Sequence, residues 1–78
     1  MAGVAKEFVI CLDNQGYEAS LIVGKVYPKI PDPEAERRGW VRIVDEDRDE
    51  RDGYLYPAHL FWPIELPVEV RRVLWAGV

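Results

Sequence analysis

Turn signals punctuate this chain at short intervals, and their spacing limits what it can fold into. "DNQG" stands at 13–16, "PDPE" at 31–34, "RRG" at 37–39 and "DRDERDG" at 47–53. The segments between them are short and rich in β-branched and aromatic residues. Such spacing leaves little room for long helices and predicts an all-β barrel or sandwich. With 78 residues, the chain supports one core and a thin stability margin. A single cysteine, Cys11, allows no internal disulfide, which points to a reducing cytoplasm. The N-terminal stretch lacks the basic-then-apolar pattern of a secretory leader, and no apolar run reaches membrane-spanning length.

Five strands are expected. "EFVICLD" puts Phe8, Ile10 and Leu12 on one face, Val9 and Cys11 on the other. "GKVYPKI" has Val26 on its inner face, and Pro28, which lacks an N–H, makes this run an edge or ends it early. "GWVRIVD" and "GYLYP" form a hairpin across the acidic loop, and a last strand covers Trp62 to Glu65. Setting Arg42 opposite Tyr56 pairs Ile43 with Leu55 and Val44 with Tyr54. In that register Trp40, Arg42, Tyr54 and Tyr56 gather on one face, with Arg42 stacked on Tyr56. The core is then Phe8, Ile10, Leu12, Val26, Val41, Ile43 and Leu55.

"PAHLF" at 57–61 suits a single 3-10 turn. Beyond it, Pro67, Glu69 and the pair Arg71 and Arg72 mark a short C-terminal helix with a Val70, Val73 and Leu74 stripe. That stripe either covers the aromatic face, with Trp75 closing the edge, or docks elsewhere and leaves the face open; the latter is expected. Residues 1–66 and the 67–78 helix and tail belong to one domain.

Strand order, the long first loop, the acidic hairpin and the one-turn helix resemble an SH3-like barrel. "CLDNQGYEASLIVGKVY" resembles its first strand, long loop and second-strand entry. "GWVRI" resembles its tryptophan-bearing third strand, and "GYLYPAHLF" the segment leading into its 3-10 turn. The resemblance covers residues 8 to about 65. It implies a peptide groove at Tyr17, Trp40, Pro57 and Leu60. "CLDN" departs from the family's tyrosine-rich first strand, and Leu60 stands where a groove tyrosine would be, which counts against recognition of proline motifs. More narrowly, "GKVY..IPD..A...G", "RIVDED" and "YLYP...F.PIELP" resemble a group of small, uncharacterised bacterial proteins.

Catalysis has little to work with. His59 and Cys11 are the only residues of their types, Ser20 is the only serine, and threonine is absent. A nucleophile needs an adjacent base and an orienting group. One Cys and one His are too few for structural zinc. Asp45, Asp47 and Asp49 begin like a calcium loop, but Glu50 stands where glycine is required and Tyr56 where a bidentate glutamate is required. The run from Asp45 to Asp52 therefore reads as a solvated loop without a metal. No cofactor is implied.

The run from Asp45 to Asp52 holds six acids and two arginines, and so carries the whole net charge of −4. That balance disfavours phosphate backbones. Two functional classes remain. The first is a non-catalytic protein-interaction module, monomer or weak homodimer, that binds a peptide or partner subunit through Tyr17, Trp40, Arg42, Tyr54 and Tyr56. Tyr, Trp and Arg are the residue types enriched at interface hot spots. The second is a nucleic-acid-binding small barrel that stacks bases on the aromatics. Its basic patch would be Lys25, Lys29, Arg37, Arg38 and Arg42.

Overall fold

A computed structural model describes residues 7–47 and 52–76. Among these described residues there are five strands: β1 (Glu7–Cys11), β2 (Val26–Ile30), β3 (Trp40–Ile43), β4 (Tyr54–Pro57) and β5 (Phe61–Ile64). A helix, α1 (Pro33–Arg37), joins β2 to β3, and a 3-10 turn (Ala58–Leu60) joins β4 to β5. The C-terminal helix, α2, covers Val68–Ala76. The strands form one antiparallel sheet in the order β4-β3-β2-β1-β5. Among the described residues, β4 pairs only with β3 and β5 only with β1, so the ladder is not closed into a barrel.

β2 lies in the middle of the sheet, not at its edge. The Pro28 carbonyl accepts from Val44 N, on the β3 side. The missing proline N–H falls on that same side, just before the β2–β3 ladder begins at Lys29 and Ile30. On its other side, β2 pairs with β1 from Val26 to Lys29. A proline is therefore accommodated in a central strand because its missing N–H faces the side where the β3 ladder starts only at the next residue.

The hairpin register differs from the expected one by a single residue. Val41 faces Tyr56, Arg42 faces Leu55 and Ile43 faces Tyr54. A one-residue step moves every side chain of β4 to the opposite face. Tyr56 is consequently buried in the core, whereas Leu55 is 43% exposed. Gly53, just before β4, lies at a close approach to β3. It has a φ of +78°, and a Cβ there would come within 2.9 Å of the Ile43 carbonyl oxygen. Only glycine combines that backbone conformation with so close an approach.

β1 is also inverted relative to expectation. Val9 and Cys11 enter the core cluster with Leu21, Tyr27, Val41, Ile43, Tyr56, Leu60 and Phe61, while Leu12 is exposed. Phe8 is buried on the other face, in a depression that it lines with Ile64, Leu66 and Arg71. Val26 is only half-buried, and its neighbour Tyr27 takes the core position. Every residue from Phe8 to Leu12 is apolar, so alternation carries no information about which face points inward.

"PDPE" is not a simple turn. Asp32 caps α1 by accepting from Ala35 N at 3.2 Å, and Pro33 follows at the first helical position. Glu36 reaches back to accept from Asp32 N at 3.1 Å. This reciprocal cap fixes a helix too short to persist without support. It buries Ala35 against the sheet. α2 docks elsewhere, against β2, with Arg71 and Leu74 half-buried and Val73 pointing to solvent. The side chain of Trp75 lies outside the described residues.

Candidate functional site

The five residues singled out from sequence do not share one face. Trp40 and Arg42 lie on the outer face of β3, beside α1. Tyr54 and Tyr56 lie on the opposite face of β4, with Tyr17 of the first loop against Tyr56. What joins the two groups is Leu55. It lines a depression on each side of edge strand β4.

The first depression is an open groove of about 430 Å³ between α1 and β3–β4. Trp40, Leu55 and Ala35 give it apolar walls, and Asp32, Glu34, Arg38 and Arg42 complete it. Its charges are paired internally. Arg42 places both Nε and a terminal nitrogen 3.0 Å from Asp32 Oδ2, and Arg38 lies 3.0 Å from Glu34. The backbone N–H of Ala35 and the Arg42 guanidinium hold the Asp32 carboxyl below its ordinary range. Arg42 therefore does not stack on Tyr56. Asp32 claims it, and Leu55 is its cross-strand neighbour.

The second depression is a cleft of about 320 Å³ between the first loop and the β3–β4 hairpin. Tyr17, Ser20, Asp45, Asp47, Tyr54, Leu55 and Tyr56 line it. Tyr56 forms its floor. The ring is edge-on to Tyr17 at 5.1 Å and to Phe61 at 6.0 Å, which ties the cleft to the core. Its hydroxyl donates to Asp45 Oδ2 and also meets Ser20. Burial, and then the Asp45 hydrogen bond, raise the Tyr56 phenol above its ordinary value. Tyr54, at the rim, donates to Asp47 Oδ2 at 3.1 Å.

The acidic loop is thus not wholly solvated. Asp45 is only 2% exposed, and its second oxygen accepts from Asp47 N at 2.8 Å. Glu46 accepts from the Tyr27 hydroxyl and from Lys25 Nζ, both at 2.6 Å. These bonds fasten the start of the loop to β2, β4 and the first loop. Residues 48–51 of the expected solvated segment lie outside the described residues.

All five basic residues of the candidate nucleic-acid patch have acidic partners. Lys25 pairs with Glu46, Lys29 with Glu7 and Glu36, Arg37 and Arg38 with Glu34, and Arg42 with Asp32. Burial works against the Lys29 charge, but Glu7 and Glu36 outweigh it and raise the ammonium above its ordinary value. Cys11 is buried, and desolvation raises its thiol, which suppresses the nucleophilic thiolate. His59 is exposed on the 3-10 turn. Among the described residues, no group of three or more His, Cys, Asp or Glu converges as metal ligands. No described helix is long and apolar enough to cross a membrane.

Leu55, Asp45, Asp47 and the α1 wall were not anticipated as site residues. The signal for α1 was present, since Asp32, Pro33 and Glu36 carry cap chemistry and Gly39 follows the helix end. Nothing comparable marks Leu55, whose exposure depends on the hairpin register. Comparison with known proteins gives no assignment, because no family model, curated protein or solved structure matches the chain.

Proposed function

We propose that this chain is a non-catalytic protein-interaction module, SH3-like in fold, that binds an extended peptide or partner subunit along a strip around edge strand β4. The strip runs from Trp40 over Leu55 to Tyr54 and Tyr17, with Tyr56 beneath it and Arg42 at its margin. The observation that carries this reading is the exposure of three large side chains on edge strand β4 and its neighbour β3. Trp40, Tyr54 and Leu55 are 41%, 43% and 43% exposed, and Leu55 joins the two depressions. Contiguous exposed apolar surface with a polar rim is characteristic of a partner site. The strand order and the 3-10 turn before β5 support the SH3-like reading, and the lone free cysteine supports a cytoplasmic setting.

Phosphate-backbone binding through Lys25, Lys29, Arg37, Arg38 and Arg42 is disfavoured because it would compete with an ion pair at each of these five residues. Selection of displayed random peptides on the immobilised chain tests the interaction reading. Enriched peptides should lose binding to Trp40→Ala and Leu55→Asp variants but keep binding to Trp62→Ala, a substitution of an exposed tryptophan on β5. No enrichment, or equal loss in all three variants, would refute the β4 strip.

A further inference from the structure

We infer that edge strand β4 takes a short extended segment of the partner as an added antiparallel strand, with a non-prolyl apolar residue of that segment directly across from Leu55. This rests on the β4 strip being the partner surface and assigns how a peptide is held along it.

The hydrogen-bond phase of the sheet decides which groups of β4 face outward. Antiparallel pairs alternate between residues that exchange main-chain bonds and residues that do not. Val44 N–H donates to the Pro28 carbonyl, so Val44 and Arg42 bond toward β2, which leaves Val41 and Ile43 to bond toward β4. The Ala58 N–H, donating to the Gly39 carbonyl at 2.8 Å, gives the same phase from the other end of the β3–β4 pair. Tyr56 and Tyr54 therefore carry the bonds to Val41 and Ile43. Leu55 and Pro57, opposite Arg42 and Trp40, turn their main-chain groups away from β3. The outward row is the Leu55 N–H, the Leu55 carbonyl and the Pro57 carbonyl.

The other edge is built differently. Leu12 N–H donates to the Leu60 carbonyl, in register with the β1–β5 pairs, so Phe61 and Pro63 face outward from β5. The Phe61 N–H already donates to the Ala58 carbonyl, and Pro63 has none. Strand β5 thus presents no outward donor, a common protection of sheet edges, whereas β4 presents one at Leu55, a residue 43% exposed. An antiparallel strand, the pairing used throughout this sheet, lets one partner residue exchange both bonds with Leu55 and the residue two before it donate to Pro57. A proline across from Leu55 would forfeit one of these bonds. The side chain across from Leu55 stands over the groove of about 430 Å³, where Trp40, Leu55 and Ala35 are apolar and Asp32 and Glu34 neutralise Arg42 and Arg38. An apolar side chain fits that surface, and a strand-forming one such as valine or isoleucine also favours the extended backbone. Main-chain bonds then hold the segment, and the side chain beside Leu55 selects it.

The test is amide hydrogen exchange of the full isotope-labelled chain, alone and with the most enriched of the displayed peptides, synthesised free. In the chain alone the Leu55 amide should exchange fast while the Tyr54 and Tyr56 amides are protected, and the peptide should protect Leu55. Methylating the peptide's amide nitrogens one at a time should weaken binding about tenfold at two positions two residues apart, and little at the position between them. Leu55→Pro, which removes an outward N–H as Pro63 does on β5, should weaken binding about tenfold, and Leu55→Val should not. Where Leu55→Pro fails to fold, exchange and the methylation scan on the parent chain decide. A Leu55 amide already protected in the chain alone would show that the chain covers its own edge and would overturn the proposal. Protection that grows with chain concentration would make a second copy the occupant and overturn it as well. A peptide that binds in a Trp40-dependent manner yet leaves Leu55 exchanging, or tolerates methylation at every position, would refute strand addition and leave the β4 strip standing.

Discussion

Replacing Tyr56 with Phe removes one hydroxyl from a core position and should destabilise the fold markedly. Tyr56 is 4% exposed, and its acceptor, Asp45, is 2% exposed. Water cannot readily take over the lost hydrogen bond. A hydrogen bond to a charged group contributes about 1.5–3 kcal/mol, and a buried acceptor left without its donor incurs its desolvation cost. The expected loss is therefore about 1.5–3 kcal/mol. For a domain of this size, that corresponds to a fall in Tm of about 6–24 °C, from about 4–8 °C per kcal/mol. Tyr54→Phe is an internal control. It removes the same atom two residues earlier on the same strand, but its acceptor, Asp47, lies at the surface. That change should cost less than about 0.5 kcal/mol. Urea melts of both variants and the parent chain measure the difference. Coincident melts for the two variants would refute the buried anchoring of Asp45 by Tyr56.

Other perturbations probe the rest of the account. Ile43→Ala, at a fully buried site, should cost about 2–5 kcal/mol, whereas Leu55→Ala should cost under about 1 kcal/mol because Leu55 is exposed; chemical melts showing the reverse order would contradict the hairpin register. Tyr27 and Tyr56 have phenols raised above the ordinary value of 10, chiefly by burial. Their contribution to stability is intact below pH 10 and is lost as pH rises toward the raised folded values. Phenolate absorbance should thus show these two ionising only with unfolding, and their titration in the folded chain near pH 10 would contradict this. Asp32 and Glu36 are held below their ordinary values of 3.8 and 4.5, mainly by backbone N–H groups at the α1 cap. Each contributes stability above its ordinary value and loses it as pH falls through the lower folded value. Asp32→Asn should flatten the acid limb of the stability curve below pH 3.8, and an unchanged limb would exclude the cap contribution.

Strand positions, the 3-10 turn and the C-terminal helix were legible because turn residues bracket them and Pro57 and Pro67 favour the starts of helical turns. Side-chain facing was not. In "FVICL" every position is apolar, and in "YLYP" both tyrosine and leucine can fill a core. Aliphatic matching across the hairpin favoured Ile43 against Leu55. The folded chain instead buries Tyr56, because Asp45 satisfies its hydroxyl and Tyr17 and Phe61 pack its ring. A polar tip with a buried partner makes tyrosine a core residue, and that partner lies across a loop whose composition suggests only solvent exposure. For the candidate site, the sequence offered aromatic residues near the hairpin but not their grouping. Its division into a neutral groove and an acidic cleft follows from the one-residue step in register and from α1, whose cap signature lay inside an apparent turn.

The hairpin register is the central claim, since the exposure of Leu55, the burial of Tyr56 and both depressions depend on it. Cross-strand nuclear Overhauser contacts in the isotope-labelled chain test it most directly. The account predicts backbone contacts that pair Val41 with Tyr56 and Ile43 with Tyr54, together with Tyr56 ring contacts to Tyr17 and Phe61. Contacts that pair Arg42 with Tyr56 and Ile43 with Leu55 would contradict it and would return Leu55 to the core.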